Sequence, residues 1–419
     1  MTEDEVRGAA ELAARHSYGK LIAFLTARSR DVPAAEDALS EALTKALQLW
    51  PTRGIPDNPD AWLLVTARRN IARVRRHGKV VADGLNRVIM DMEELAQTMT
   101  EKTEADFPDD RLKLLFVCTH PAIDPAAHTP LMLQTVLGLD AKRIASAFLV
   151  SPATVSQRLV RAKAKVRDAG IPFTVPDRSD LPSRLEAVFA AIYAAYTLGW
   201  DGHGSGEEKS SDLAEEAIWL ARLLLVILPH RAEAMGLLAM MLYGESRKAA
   251  RRTPDKAYVP LDAQNPDLWD ATLIAEADGL LVAAGKLNAF GPYQCEAAIQ
   301  SVHAARRASG VTNWQAVSVL YQALLGLRPS IGAYVAQAAV TARLSGAEAG
   351  LQKLDELSSM QVKAYQPYWA VRAHLLSQTD AIDEALSAYD TAIGLCTDAA
   401  VRLYLQRRQS ELLPTPTSP

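Results

Sequence analysis

The stretch from Leu139 to Arg167 constrains the chain most, because it reads as two helices joined by a tight turn, the second of them cationic. Asp140 is placed to cap a short helix whose apolar face is Ile144, Ala145 and Phe148. Ser151 followed by Pro152 starts the next helix: the hydroxyl satisfies a free N–H, and proline in the first turn gives up no donor that is needed. Val155, Leu159, Ala162 and Val166 then recur at helical spacing as an inward stripe, leaving Thr154, Gln157, Arg158, Arg161 and Lys165 outside. Donors and positive charge on an outer face suit a helix that lies in a DNA groove, where N-terminal side chains read base edges and later cations hold phosphates. Thr154, Gln157 and Arg158 are expected to read, and Arg161, Lys163, Lys165 and Arg167 to position. A solvated basic helix has the same pattern.

A chain of 419 residues exceeds the usual size of one hydrophobic core, so two or three domains are expected. Ala and Leu dominate its apolar half, and β-branched and aromatic residues are sparse, which predicts an all-α fold. No apolar run is long enough to span a bilayer and the N-terminus lacks a signal-peptide pattern, so no membrane contact and a cytoplasmic location are expected. Cys118, Cys295 and Cys396 are odd in number and far apart, which predicts reduced thiols and no zinc site. His120 beside Cys118 has no further ligands, so neither metal nor cofactor is expected.

The net charge of −4 hides a local pattern. Arg68, Arg69, Arg73, Arg75, Arg76 and Lys79 form a basic run without an acid among them, and the stretch 81–109 is an acidic linker. Before it, apolar stripes predict helices over 11–28, 33–49 and 60–76, with a constrained loop over 50–59, where Pro51, Pro56 and Pro59 fall. Residues 1–80 thus read as a first domain and 110–172 as a second, helix-turn-helix domain. A helical third domain spans 183–419. It opens with a Gly-rich interruption at 201–209 that no strand precedes, a flexible turn and not a phosphate loop. The segments beginning at Ser345 and Thr379 echo each other at a spacing of 34, the tetratricopeptide period, which predicts stacked helix pairs offering a surface to a protein or peptide.

With these motifs the chain resembles extracytoplasmic-function sigma factors of bacterial RNA polymerase, in the branch that carries a C-terminal tetratricopeptide-like extension. The resemblance covers nearly the whole chain. The stretch 31–47 resembles the helix that docks on the polymerase clamp, which implies that Glu36, Asp37 and Glu41 face the clamp's arginines. The loop 50–59 and the helix after it resemble the promoter-melting elements. That implies a minus-ten site of Asn58, Arg68, Arg69, Arg73, Arg75 and Arg76 on the unpaired strand, a cationic track beside a rigid pocket. Trp50 and Trp62 are expected to be core anchors, since each flanks an apolar stripe. The 110–172 unit is similar to the region that reads the minus-thirty-five element, with Thr154, Gln157, Arg158, Arg161, Lys163 and Lys165 on the duplex.

There are departures from the family pattern. Ser40 stands where Gln is usual, Ala72 lies where an Asp is usually near, and Arg143 replaces the Glu that completes a capping box, a loss of about 0.5–1 kcal/mol. In the extension, Tyr196-Thr-Leu-Gly-Trp replaces Phe-Asn-Glu-Gly-Tyr, and Ala336-Gln337 replaces an Asn-Arg pair. The implied function is a promoter-specificity subunit that binds core RNA polymerase and promoter DNA and is not itself an enzyme. The alternative is a stand-alone helix-turn-helix regulator with a helical sensory domain. An enzyme in the extension would have only the scattered His203, His303, Glu216, Glu245 and Tyr293, whose spacing forms no nucleophile–base pair.

Overall fold

The computed structural model describes residues 3–79, 110–148, 150–176, 179–201, 207–357, 362–379 and 381–413. Every regular element among them is a helix, so the fold is all-α. The acidic linker and part of the Gly-rich interruption lie outside the described residues. The chain divides into two compact units, Met1–Ala195 and Tyr196–Pro419.

The first unit begins with α1 (Glu3–Ser29), α2 (Val32–Arg53) and α3 (Pro59–Lys79), each packed on the other two. Asp31 caps α2 by accepting from the Ala34 N–H at 3.2 Å. The stripe Val32, Ala35, Ala38, Leu39, Ala42, Ala46 and Trp50 is buried. The helix does not stop at Leu49 as expected. It runs through Pro51 to Arg53 and closes at Gly54 (φ +89°), whose N–H reaches the Trp50 carbonyl at 3.0 Å. Burial of the Trp50 indole, edge-on to Trp62 with centroids 5.5 Å apart, holds that extra turn, and Pro51 forfeits a single N–H. The constrained loop shrinks to residues 54–58.

The helix-turn-helix segment follows as α4 (Arg111–Cys118), α5 (Pro125–Thr135), α6 (Ala141–Ala147) and α7 (Pro152–Asp168). Asp140 accepts from the Arg143 N–H at 2.8 Å and Ser151 from the Thr154 N–H at 3.1 Å, the two caps the sequence predicts. Val155, Leu159, Ala162 and Val166 are all buried, with Ile144 and Ala145 against them, but Phe148 is exposed because it lies past the last turn of α6 as its C-cap. This segment packs on α1 and α2 within one unit. Gly19 in α1 permits the approach, since a Cβ there would be driven into the Val136 carbonyl.

The last helix of this unit, α8 (Leu181–Asp201), runs on into the second. There follow α9 (Glu207–Ile227), α10 (Ala232–Ser246), α11 (Ala271–Gly285), α12 (Pro292–Ala304), the short α13 (Arg306–Ser309), α14 (Trp314–Leu327), α15 (Ile331–Ser345), α16 (Ala347–Asp355), α17 (Gln366–Leu376), α18 (Ile382–Leu395) and α19 (Ala399–Ser410). The two echoing segments are α16 and α18, each packed on the helix before it. Val335, Ala338, Leu354 and Tyr368 fill one layer, and Ala373, Ala385, Tyr389 and Leu405 the next. Cys118, Cys295 and Cys396 are buried free thiols, and burial pushes the Cys118 thiol up to about 12.

Gly8 and Gly19 both lie inside α1, so alanine at either gains about 0.5–1 kcal/mol of helix propensity. Only Gly19 faces a wall, whereas a Cβ at Gly8 meets nothing within 4 Å. Urea titration of the full chain is expected to show Gly8→Ala neutral or stabilising and Gly19→Ala destabilising by about 1–3 kcal/mol.

Candidate nucleic-acid interface

Because the apolar stripe of α7 is wholly buried, the opposite stripe is turned outward. Gln157, Arg161, Lys165 and Arg167 are exposed, and Thr154 and Arg158 are half-buried beside them. Gln157, Arg161 and Lys165 follow at steps of four and line one face. The Thr154 hydroxyl is already engaged with the Ser151 hydroxyl at 2.8 Å, so it serves the cap as well as the outer face. Arg167 pairs with Asp168 at 2.9 Å in solvent.

Lys163 lies elsewhere. Its ammonium donates to both carboxylate oxygens of Glu36, at 2.7 and 2.6 Å, and both side chains are largely buried, 13% and 19% exposed. Tyr18 shares the Glu36 carboxylate, which with burial raises the phenol's pKa. Burial also drives the Glu36 pKa above the carboxylate range, and the opposing pull of Lys163 does not cancel it. The ion pair joins α2 to α7, the helices expected to meet two different partners.

The other predicted acids divide. Glu41 is bound by Lys45 at 3.1 Å and by Arg73 from α3, which together hold its carboxyl below the usual range, whereas Asp37 and Ser40 are exposed. On α3, Arg69 is exposed and Arg68 half-buried, and burial lowers the Arg68 pKa. Arg75 and Arg76 belong to the helix, with side chains outside the described residues. Asn58 accepts from the Ala61 N–H at 3.0 Å and so caps α3 with the oxygen that a base contact would use. Trp50 is buried and Trp62 half-buried against it, the anchoring role expected of both.

Asn70 and Tyr18 escaped the sequence reading. Asn70, 3% exposed in the middle of the basic run, accepts from Lys45 at 2.7 Å and donates to the Ala38 carbonyl at 3.3 Å, locking α3 to α2. Its position three residues after Ala67 on the buried side of α3 is the signal that could have found it.

The scattered residues of the extension serve structure separately. Glu245 pairs with Lys248 at 2.8 Å, Tyr293 lies under Arg328, and His303 packs edge-on to Trp314. Glu216 is half-buried on α9, and His203 is outside the described residues. Among the described residues no group of three His, Cys, Asp or Glu side chains could hold a metal, and no helix is long and apolar enough to cross a membrane. The His120 Nδ1 accepts from the Ala122 N–H at 3.1 Å.

Two comparisons bear on this arrangement. The model of a family of unknown function (DUF6596) matches residues 184–285, from α8 to the end of α11. An uncharacterized protein of Rhizobium meliloti (strain 1021) is 37% identical over 391 residues, which is 93% of this chain and 92% of the relative. The chain belongs to that protein's family. The shared family therefore takes in both units, and the α2–α7 contact falls inside the aligned length as much as the extension does. No solved structure matches.

The raised Glu36 pKa fixes a sign. A carboxyl whose folded pKa exceeds its unfolded value contributes stability that is fully present below the unfolded pKa and lost as pH rises through the folded one. Glu36→Gln is expected to remove that loss and to stay within about 1 kcal/mol of the parent at pH 7, because the amide keeps a hydrogen bond and needs no countercharge. Lys163→Met strands the carboxylate and is expected to cost about 1–3 kcal/mol. Denaturant titrations at pH 4 to 8 measure both, and equal losses in the two variants at neutral pH would contradict this account of the pair.

Proposed function

We propose that this chain is a promoter-specificity subunit of bacterial RNA polymerase, of the extracytoplasmic-function sigma type. The observation that carries the proposal is α7: a capped helix with its apolar stripe fully buried and Gln157, Arg158, Arg161 and Lys165 on the side away from it. Such a face reads bases near its start and holds phosphates along its length. The basic face of α3, tied to α2 through Asn70, supplies the cationic track that single-stranded DNA requires. In this reading the exposed Asp37, with Glu36 and Glu41, meets the polymerase, catalysis belongs to the polymerase, and the second unit regulates the assembly or carries a protein partner.

One feature favours a second reading. Glu36 and Glu41 are already bound by Lys163 and Arg73 of the same chain, which suits a stand-alone regulator that never docks on polymerase. The sigma reading instead requires the α2–α7 pair to open, with clamp arginines replacing Lys163 on Glu36 and phosphates replacing Glu36 on Lys163.

Titration of the purified chain into bacterial core RNA polymerase separates the two. A stable complex that starts transcription at a defined site supports the sigma reading, and duplex binding without polymerase association supports the regulator. Arg158→Ala is expected to weaken binding of the preferred promoter by about 1–3 kcal/mol and to flatten the preference at one base position. Uniform weakening on all sequences, with a smaller salt slope, would make it a phosphate contact.

A further inference from the structure

The buried stripe of α7 also settles which side chains point straight away from the core. Ala153, Gln157, Val160 and Ala164 repeat the spacing of Val155, Leu159, Ala162 and Val166 two residues earlier, a displacement of about 200° round the helix. The outermost stripe is therefore not the cationic one. Ala153 and Gln157 are exposed, Val160 is 69% exposed and Ala164 is half-buried. Exposed cations stand to either side of it, Arg161 and Lys165 on one flank and Arg167 on the other. Lys163 takes no part in that border, because its ammonium is held by Glu36.

Val160 does little for the fold. A β-branched side chain is less favourable than alanine inside a helix, and this one buries little in return. A single exposed aliphatic side chain is ordinary on a protein surface. This one stands in the middle of a face bordered by positive charge on both sides, the arrangement that fits a groove bordered by two phosphate backbones. On the floor of a major groove the one apolar feature of the base edges is the thymine C5-methyl group, and adenine offers an acceptor and a donor that a glutamine amide pairs with bidentately. The stripe supplies one group of each kind, Val160 and Gln157, one turn apart. Ala153 and Ala164 end at Cβ, so neither holds the helix away from the bases.

We propose that Val160 is a specificity-determining residue of α7, packing its methyl groups on the C5-methyl of a thymine in the major groove, beside Gln157 on an adenine. The proposal rests on the promoter-DNA reading and deepens it: the duplex element contains a thymine whose methyl group, and not its hydrogen-bonding edge, is what the protein selects. The flanking cations hold phosphates and are indifferent to sequence, so the uncharged stripe between them carries the choice of base.

The test selects duplexes from a random library with the full chain, alone and in complex with core RNA polymerase, and then replaces each thymine of the preferred duplex singly by deoxyuridine. That exchange removes the C5-methyl group and leaves the Watson–Crick pair intact. At one position it is expected to weaken binding by about fourfold, the worth of one buried methyl group. Val160→Ala is expected to weaken binding of the thymine duplex by a similar factor and to bind the thymine and deoxyuridine duplexes equally. Its unfolding temperature should be unchanged or slightly higher, since alanine favours the helix, so a loss of binding is not a loss of fold. Failure to enrich any duplex, with or without polymerase, ends the promoter reading and this proposal with it. Sequence-specific binding that deuridylation-style replacement leaves untouched at every position, or a deoxyuridine penalty that persists in Val160→Ala, overturns the proposal alone and leaves the promoter reading standing.

Discussion

The first unit depends on the burial of one narrow stripe. With Val155, Leu159, Ala162 and Val166 in the core, the rotation of α7 about its own axis is fixed, and every other side chain on it follows. Each fully buried aliphatic side chain in that stripe is worth about 1.5–3 kcal/mol, more than a solvated cation on the far side gains from any one orientation. Apolar burial therefore decides where the charges go. Gln157, Arg161 and Lys165 are carried outward together, and Lys163 is carried to the flank of the stripe, where Glu36 answers it.

That flank was legible in the sequence, although the basic run on α7 reads at first as one phosphate-facing set. Lys163 stands four residues after Leu159 and three before Val166, so helical geometry alone puts it beside the apolar stripe. What the sequence could not supply is the partner, because Glu36 is far away along the chain and nothing local links the two. The same division holds elsewhere. The caps at Asp31, Asp140 and Ser151 are local chemistry and were readable, as were the buried stripes. The end of α2 was not, because an interaction with Trp62 in another helix overrides the stop signal of Pro51. Phe148 failed for a related reason: it keeps the helical spacing of an apolar face after the helix carrying that face has ended.

In the second unit the long connection between α10 and α11 plays the integrating part. It gives its carbonyls at Leu261, Asp262 and Gln264 to Arg306, its Asp262 carboxylate to Arg343 of α15, and its Arg252 to Asp398, the residue that caps α19. Stacked helix pairs by themselves make contacts only with neighbours in sequence. This connection ties together elements far apart along the array, and most of the ties are made by arginine, whose planar fork spans several acceptors at once. Nothing in the composition distinguishes these arginines from solvated ones. Their roles emerge only when the topology brings carbonyls and acids to them.

In the α2–α7 ion pair, attraction and desolvation oppose each other within one contact. In the first unit an enclosed acid and an enclosed base were brought together, yet the raised Glu36 pKa says that desolvation still outweighs the attraction. Such a contact specifies one arrangement of the helices while contributing little to hold it shut. Exchanging either partner for an equivalent charge on another molecule then carries a small net penalty, because one ion pair replaces another at similar desolvation. A closed pair of this kind thus suits displacement by a partner that brings its own charge.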